Sequence, residues 1–215
     1  MTRWVDVRLF AAAVAATVAA AVLSVYVDLH PLISQDVTLE RDVQATSWGP
    51  LALSFPVFSF IGDAKGAVIE AVVFLLILIV NRRAWLIAVG AAVSGGWYIL
   101  INHIVLRARP TVAQVLQVKE HPSGSSYPSG HEIFIVTLVT VLMVCLGLRF
   151  LPRWAQVVGW VIAACLVVLN AIGRVDVGAH WPTDVLAGFL IAFAWLSLWL
   201  SIRPVHRRIG GAESP

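Results

Sequence analysis

Long apolar runs constrain this chain more than any other feature. A helix needs about 20 mostly apolar residues to cross the hydrocarbon core of a bilayer. Five segments read as such spans: Leu9–Val27, Trp85–Leu106, Ile133–Leu148, Trp154–Ile172 and Val185–Ile202. A sixth, Gly66–Val80, is shorter and carries Glu70, but its Val72–Val80 stretch is wholly apolar. Of the 215 residues, 60% are hydrophobic and 13% charged, against roughly 25% charged in a soluble domain. That deficit leaves too little polar surface to cover a soluble globule, so the bilayer is the expected solvent. The first run resembles a signal peptide in its flanking Arg3 and Arg8, yet its apolar core exceeds the usual ~7–15 residues. It is therefore read as an uncleaved span.

The arginines set the orientation. Arg3 and Arg8, Arg82 and Arg83, Arg149 and Arg153, and Arg203, Arg207 and Arg208 all fall on one side of a six-span layout. The positive-inside rule makes that side, with both termini, cytoplasmic. Asp28, Asp36, Glu40 and Asp42 fall on the other side. The stretch from Asp36 to Ile61 mixes charge with Trp48, Leu51, Phe55, Phe58 and Phe60, and reads as an interfacial helix plus a re-entrant piece. The expected fold is all-α: one membrane-embedded domain over residues 1–215, a six-helix transmembrane bundle with an interfacial helix between spans 1 and 2. Cys145 and Cys165 lie inside apolar runs and read as packing residues, not as a disulfide or a metal pair. The net charge of +3 comes with no basic stripe or stacking platform, which excludes nucleic acid as a partner.

Three polar islands interrupt the apolar pattern, all on the outer side. Arg107-Ala108-Arg109-Pro110 ends the third span, and the planar guanidinium fork suits phosphate oxygens. Pro128-Ser129-Gly130-His131 precedes the fourth span. There Ser129 suits a helix N-cap, Gly130 permits close backbone approach, and the helix start offers free N–H groups to an anion. His131 stands where it can donate a proton. In the third island, Gly173 to Asp184, His180 and Asp184 are four residues apart, so a carboxylate can orient the imidazole as a nucleophile or base. Arg174 adds a cation, and Pro182 suits the first turn of the last span. Each island alone admits a blander reading: snorkelling arginines, a plain cap, a helix-start carboxylate. Jointly they supply an anion pocket with a nucleophile and an acid.

These residues resemble the type 2 phosphatidic acid phosphatase superfamily of membrane lipid phosphatases. Its motifs are Lys-x6-Arg-Pro, Pro-Ser-Gly-His and Ser-Arg-x5-His-x3-Asp. The second is intact at Pro128–His131. In the third, Arg174, His180 and Asp184 match in spacing, and Gly173 replaces the serine. In the first, Arg109 and Pro110 match, and Asn102 stands at the lysine position. The resemblance implies a phosphatase that needs no metal or other cofactor. His180 would attack phosphorus with Asp184 orienting it, and His131 would protonate the leaving group. Arg109, Arg174, Ser129, Gly130 and, more weakly, Asn102 would hold the phosphate, with Lys65 and Arg107 as accessory cations. Asp176 is expected to pair with Arg107 or Lys65 or to be solvated. The loop residues Glu120 and His121 stand where a lipid would approach. The expected substrate is a lipid phosphate or diphosphate: a polyprenyl diphosphate, phosphatidylglycerol phosphate or phosphatidic acid. It would be handled at the outer face of a cell membrane. The alternatives are a phosphotransferase using the same phosphohistidine and a weakly catalytic lipid-phosphate binder or transporter.

Overall fold

Asp6 opens the first helix, its Oδ1 accepting from the Arg8 and Leu9 amides at 3.0 and 3.2 Å. The structure is a computed structural model that describes residues 4–62, 66–203 and 205, and these are helical or loop apart from one isolated antiparallel bridge between Val5 and Ile202. In order come α1 (Val7–Leu29), α2 (Ser34–Ala45), a 3-10 turn (Gly49–Ser54), α3 (Phe55–Ile61) and α4 (Gly66–Val80). A second 3-10 turn (Arg82–Ala84) leads into α5 (Trp85–Ile104). After a long loop, α6 (Gly130–Leu142) continues through a π-turn (Met143–Gly147) into the short α7 (Leu148–Phe150). α8 (Arg153–Asp176) and α9 (Pro182–Ser201) follow.

Five stretches are long and apolar enough to cross a membrane: Val7–Leu29, Arg82–Ile104, Gly130–Phe150, Arg153–Asp176 and Pro182–Ser201. They coincide with the five long runs of the sequence. The sixth expected span, α4, has 15 residues. At ~1.5 Å per residue it reaches about 22 Å, short of a core about 30 Å thick. Arg3, Lys65, Arg207, Arg208 and the side chain of Glu70 lie outside the described residues.

α6 forms the centre, packed by α5, α8 and α9, while α1 lies along α9. Ile133, Val136, Val139 and Met143 meet Ala163 of α8 and Ile191 and Leu196 of α9. A second cluster joins Ile77 of α4 and Ile87 and Ala91 of α5 to Val141 and Val144. α6 and α9 approach closely at Gly188, where a Cβ would fall 2.6 Å from the Ser129 carbonyl oxygen. Val18, Val22 and Val25 of α1 and Val157 and Val161 of α8 are exposed, as a lipid-facing surface requires.

The arginine-bearing turns gather at one end. Arg149 Nη1 donates to Asn81 Oδ1 at 3.4 Å, and Asp6 N donates to Ser201 O at 2.7 Å. The three islands therefore share the opposite end. There α2 differs from a solvated interfacial helix: Asp36 and Glu40 are buried, at 2% and 0% exposure. They belong to the protein interior and not to the outer surface charge.

Candidate active site

The loop between α8 and α9 turns at Gly178, whose φ of +71° favours glycine. A Cβ there would also fall 2.5 Å from the Gln117 carbonyl oxygen. This turn delivers His180, which is 4% exposed. Its Nδ1 lies 2.7 Å from the Ser126 carbonyl oxygen. A carbonyl only accepts, so Nδ1 carries the proton and Nε2 keeps its lone pair. The Asp184 Oδ2 stands 3.9 Å from Nδ1, beyond hydrogen-bond reach. The group in hydrogen-bond contact with Nδ1 is thus the Ser126 carbonyl, and Asp184, expected as the orienter, stands behind it at 3.9 Å. Burial first, then the Arg109 and His131 charges, hold the imidazole well below its ordinary 6.5.

Asp184 instead joins a buried network. Its Oδ2 accepts from the Trp181 amide at 2.9 Å, and its Oδ1 from Arg107 Nη1 at 2.6 Å. Arg107 Nη2 reaches Asp36 at 2.6 Å, and Arg107 Nε donates to Pro31 O at 2.9 Å. Asp36 in turn accepts from the Thr183 amide at 3.0 Å and hydroxyl at 2.6 Å. Arg107 is 3% exposed and ties α2 to the start of α9, so it does not serve as an accessory cation facing substrate.

Arg109 lies on the open side. Its Nη1 donates to Ala179 O at 2.6 Å and stands 3.5 Å from His180 Nε2. Its Nη2 donates to Ser125 O at 3.0 Å. Arg174, fully buried, grips Glu120 with both terminal nitrogens at 3.0 and 3.1 Å and donates also to Ser59 Oγ. Ser129 occupies the N-cap position of α6, yet its hydroxyl makes no cap bond. Among the described residues, Arg109 Nε, Arg174 Nε and Ser129 Oγ are buried donors with no hydrogen-bond partner.

His131 sits in the first turn of α6, its ring 6.4 Å from the His180 ring. Its Nε2 lies 3.2 Å from Ser59 O, and its ring fills the space beside Gly62, where a Cβ would fall 2.0 Å from Cδ2. Gly130 serves packing: the Tyr98 ring lies 3.0 Å from where its Cβ would be. Gly173, at the family's serine position, likewise has the Phe55 ring 3.0 Å from a Cβ. Asn102 Nδ2 donates to the Ser125 and Tyr127 carbonyls at 3.1 and 2.9 Å, so both amide hydrogens hold the loop and none faces an anion. Asp176 pairs with Lys119 at 2.8 Å, neither with Arg107 nor with bulk water. Lys65 is outside the described residues.

Sequence reasoning missed Ser126, Ser59, Asp36 and the grip of Glu120 on Arg174. Ser126 acts through its backbone carbonyl, which no residue type encodes. Asp36 lies 147 positions from Thr183, a pairing that only the tertiary fold creates. Among the described residues, no group of three or more His, Cys, Asp or Glu side chains is arranged to hold a metal ion.

A family model described as the PAP2 superfamily matches residues 83–208, which include His131, Arg174, His180 and Asp184. The chain belongs to the PAP2 superfamily. An undecaprenyl-diphosphatase of Sulfolobus acidocaldarius is 33% identical over 105 residues, 47% of this chain and 45% of that one. A decaprenylphosphoryl-5-phosphoribose phosphatase of Mycobacterium tuberculosis is 30% identical over 141 residues, 65% of this chain and 73% of that one. A phosphatidylglycerophosphatase B of Bacillus subtilis is 38% identical over 92 residues, 42% of this chain and 43% of that one. This PAP2 chain thus spans less than half the length of two of these relatives. The crystal structure of a transmembrane PAP2-type phosphatidylglycerolphosphate phosphatase from Bacillus subtilis has the same fold. It matches with a TM-score of 0.70 at 19% identity, over 87% of this chain and 93% of that one.

Proposed function

We propose that this PAP2 chain is a lipid phosphatase that removes a terminal phosphate through a phosphohistidine at His180. The observation that carries the reading is the set of unpartnered buried donors, Arg109 Nε, Arg174 Nε and Ser129 Oγ, beside an imidazole whose Nε2 keeps its lone pair. An unsatisfied buried donor costs free energy unless a ligand completes it. Three such donors, two of them cationic, suit the three non-bridging oxygens of a phosphoryl group.

The proposed steps are these. His180 Nε2 bonds to phosphorus as the bond from phosphorus to the lipid oxygen breaks. His131, across a ring-to-ring gap of 6.4 Å, gives its proton to the departing oxygen. It then takes a proton from the water that attacks the phosphohistidine, which breaks the N–P bond and releases phosphate. Phosphoryl transfer asks mainly for alignment and charge neutralisation, and here arginines supply the charge without a metal. The relatives' named substrates share a phosphate at the end of a lipid head group. The same class, a polyprenyl diphosphate or a phospholipid ending in a phosphate, is proposed for this chain. The arginine-bearing end is taken as cytoplasmic, α4 as a short sixth span, and the site as facing outward.

Phosphate release from a panel of lipid phosphates in detergent, with a chelator present, tests this reading. Wild type should release phosphate from at least one lipid, and His180→Ala from none. Equal, background-level release by both would end it.

A further inference from the structure

Glu120 stands where an anion would bind. Both carboxylate oxygens face the Arg174 guanidinium, at 3.0 and 3.1 Å, in the two-pronged geometry that a phosphate also adopts on arginine. The carboxylate also lies within electrostatic reach of His131 and of Arg109. It therefore faces the three cationic groups assigned above to the phosphoryl group and the leaving oxygen. Its side chain retains 30% exposure, so it can turn outward.

The backbone that delivers it is strapped down. Gln44 Oε1 accepts from the Leu116 and Gln117 amides at 2.9 and 3.0 Å, and its Nε2 donates to Gln117 O at 2.9 Å. Lys119 N donates to Val177 O at 2.8 Å, and its ammonium meets Asp176 at 2.8 Å. The following residue, Glu120, is thus held at a fixed approach to Arg174. Burial raises its carboxyl pKa, but the Arg174 hydrogen bonds and charge outweigh that and keep it below the ordinary carboxylate range. It is ionised at neutral pH.

We propose that the Glu120 carboxylate is the resting occupant of the phosphoryl site, and that it sets specificity by yielding to phosphate dianions and not to phosphodiesters. The proposal rests on the phosphatase reading. Its chemical logic is competition between charges. A terminal phosphate carries up to two negative charges and displaces a singly charged carboxylate. The phosphodiester of an ordinary bilayer phospholipid carries one charge and gains nothing by the exchange. A site open to the membrane is surrounded by such diesters, and a built-in monoanion keeps them off Arg174. After hydrolysis the same carboxylate competes with bound inorganic phosphate and speeds its release.

The test uses the full chain in detergent in a His180→Ala background, where nothing is hydrolysed. Calorimetry measures inorganic phosphate binding, and dioleoyl phosphatidylglycerol serves as the diester competitor. Adding Glu120→Gln keeps a hydrogen-bond acceptor for Arg174 but removes the charge. It should tighten phosphate about ten-fold, the scale of one charge-assisted hydrogen bond, and let phosphatidylglycerol compete. Glu120→Ala should do the same, so the result does not hang on one variant's folding. Phosphate affinity that is unchanged or weaker in both variants, or a diester that still fails to compete, overturns the proposal. If phosphate binds none of these proteins, the phosphatase reading itself falls, and the proposal with it.

Discussion

Arg107 and Arg109 lie two residues apart in one motif, and the geometry gives them opposite consequences when removed. Arg107→Met takes away the guanidinium that bridges Asp36 and Asp184, each at 2.6 Å, from side chains 0–2% exposed. Two carboxylates would be left buried without their cation. Breaking one buried pair in this way costs about 3–5 kcal/mol, a large share of a typical net stability of about 5–15 kcal/mol. At ~2–4 °C per kcal/mol for a chain of this size, the thermal midpoint should fall by about 6–20 °C. Arg109 meets the Ala179 and Ser125 carbonyls and, at 3.5 Å, His180 Nε2, and among the described residues it pairs with no carboxylate. Arg109→Met should leave the midpoint within about 2–4 °C of wild type, since only neutral acceptors lose a donor. It should lower kcat/KM by about ten- to a hundred-fold, the worth of a charge-assisted hydrogen bond. The assay pairs thermal unfolding in detergent with phosphate release on the same samples. An Arg107→Met protein with a wild-type midpoint, or an Arg109→Met protein that unfolds yet keeps full specific activity while folded, would refute the assignment.

Other outcomes follow from the same contacts. Glu40, pushed up to about 9 by burial and by Asp184 and Asp36, is neutral in the folded chain at pH 7 and charged once unfolded. Its contribution to stability falls as pH rises from about 4.5 toward 9, so Glu40→Gln should flatten the decline of the unfolding midpoint between pH 5 and 8. His180 is held low by burial and then by Arg109, so removing that cation raises its pKa. The acid limb of kcat/KM in Arg109→Met should therefore lie at higher pH than in wild type, as measured by phosphate release across pH 4–8. Gly188→Ala would set a methyl 2.6 Å from the Ser129 carbonyl oxygen. An overpacking cost of about 1–3 kcal/mol should appear in the midpoint, together with slower turnover as the second motif shifts. Saturating EDTA should leave the rate of phosphate release unchanged.

The spans and the islands were legible because they rest on local signals. A run such as Leu9–Val27 announces lipid, and Pro182 opens α9 because a fixed φ and a missing N–H suit a first turn. Spacing also singled out His180, His131, Arg109 and Arg174, which the fold brings to one end of the bundle. It misjudged partners, since partner choice belongs to the tertiary fold. His180 and Asp184 have a helical spacing in sequence, but His180 lies ahead of α9 and its imidazole meets Ser126 O at 2.7 Å. Arg107 looked like Arg109 until α2, 71 residues earlier in the chain, brought Asp36 to it. Asn102 read as a weakened lysine; its amide instead fastens the loop that carries Ser125 and Tyr127. Gly173 read as a lost serine, although the Phe55 ring leaves little room for a side chain there.

Trapping the covalent intermediate tests the role of His180 most directly. The purified chain is mixed with a lipid carrying a labelled terminal phosphate, quenched in alkali within one turnover, and digested. A label that survives alkali, is lost in acid and maps to the peptide containing His180, and that is absent from His180→Ala, is the expected result. Full turnover with no labelled peptide, and with inversion at a chiral phosphate, would mean that water attacks phosphorus directly and that His180 is not the nucleophile.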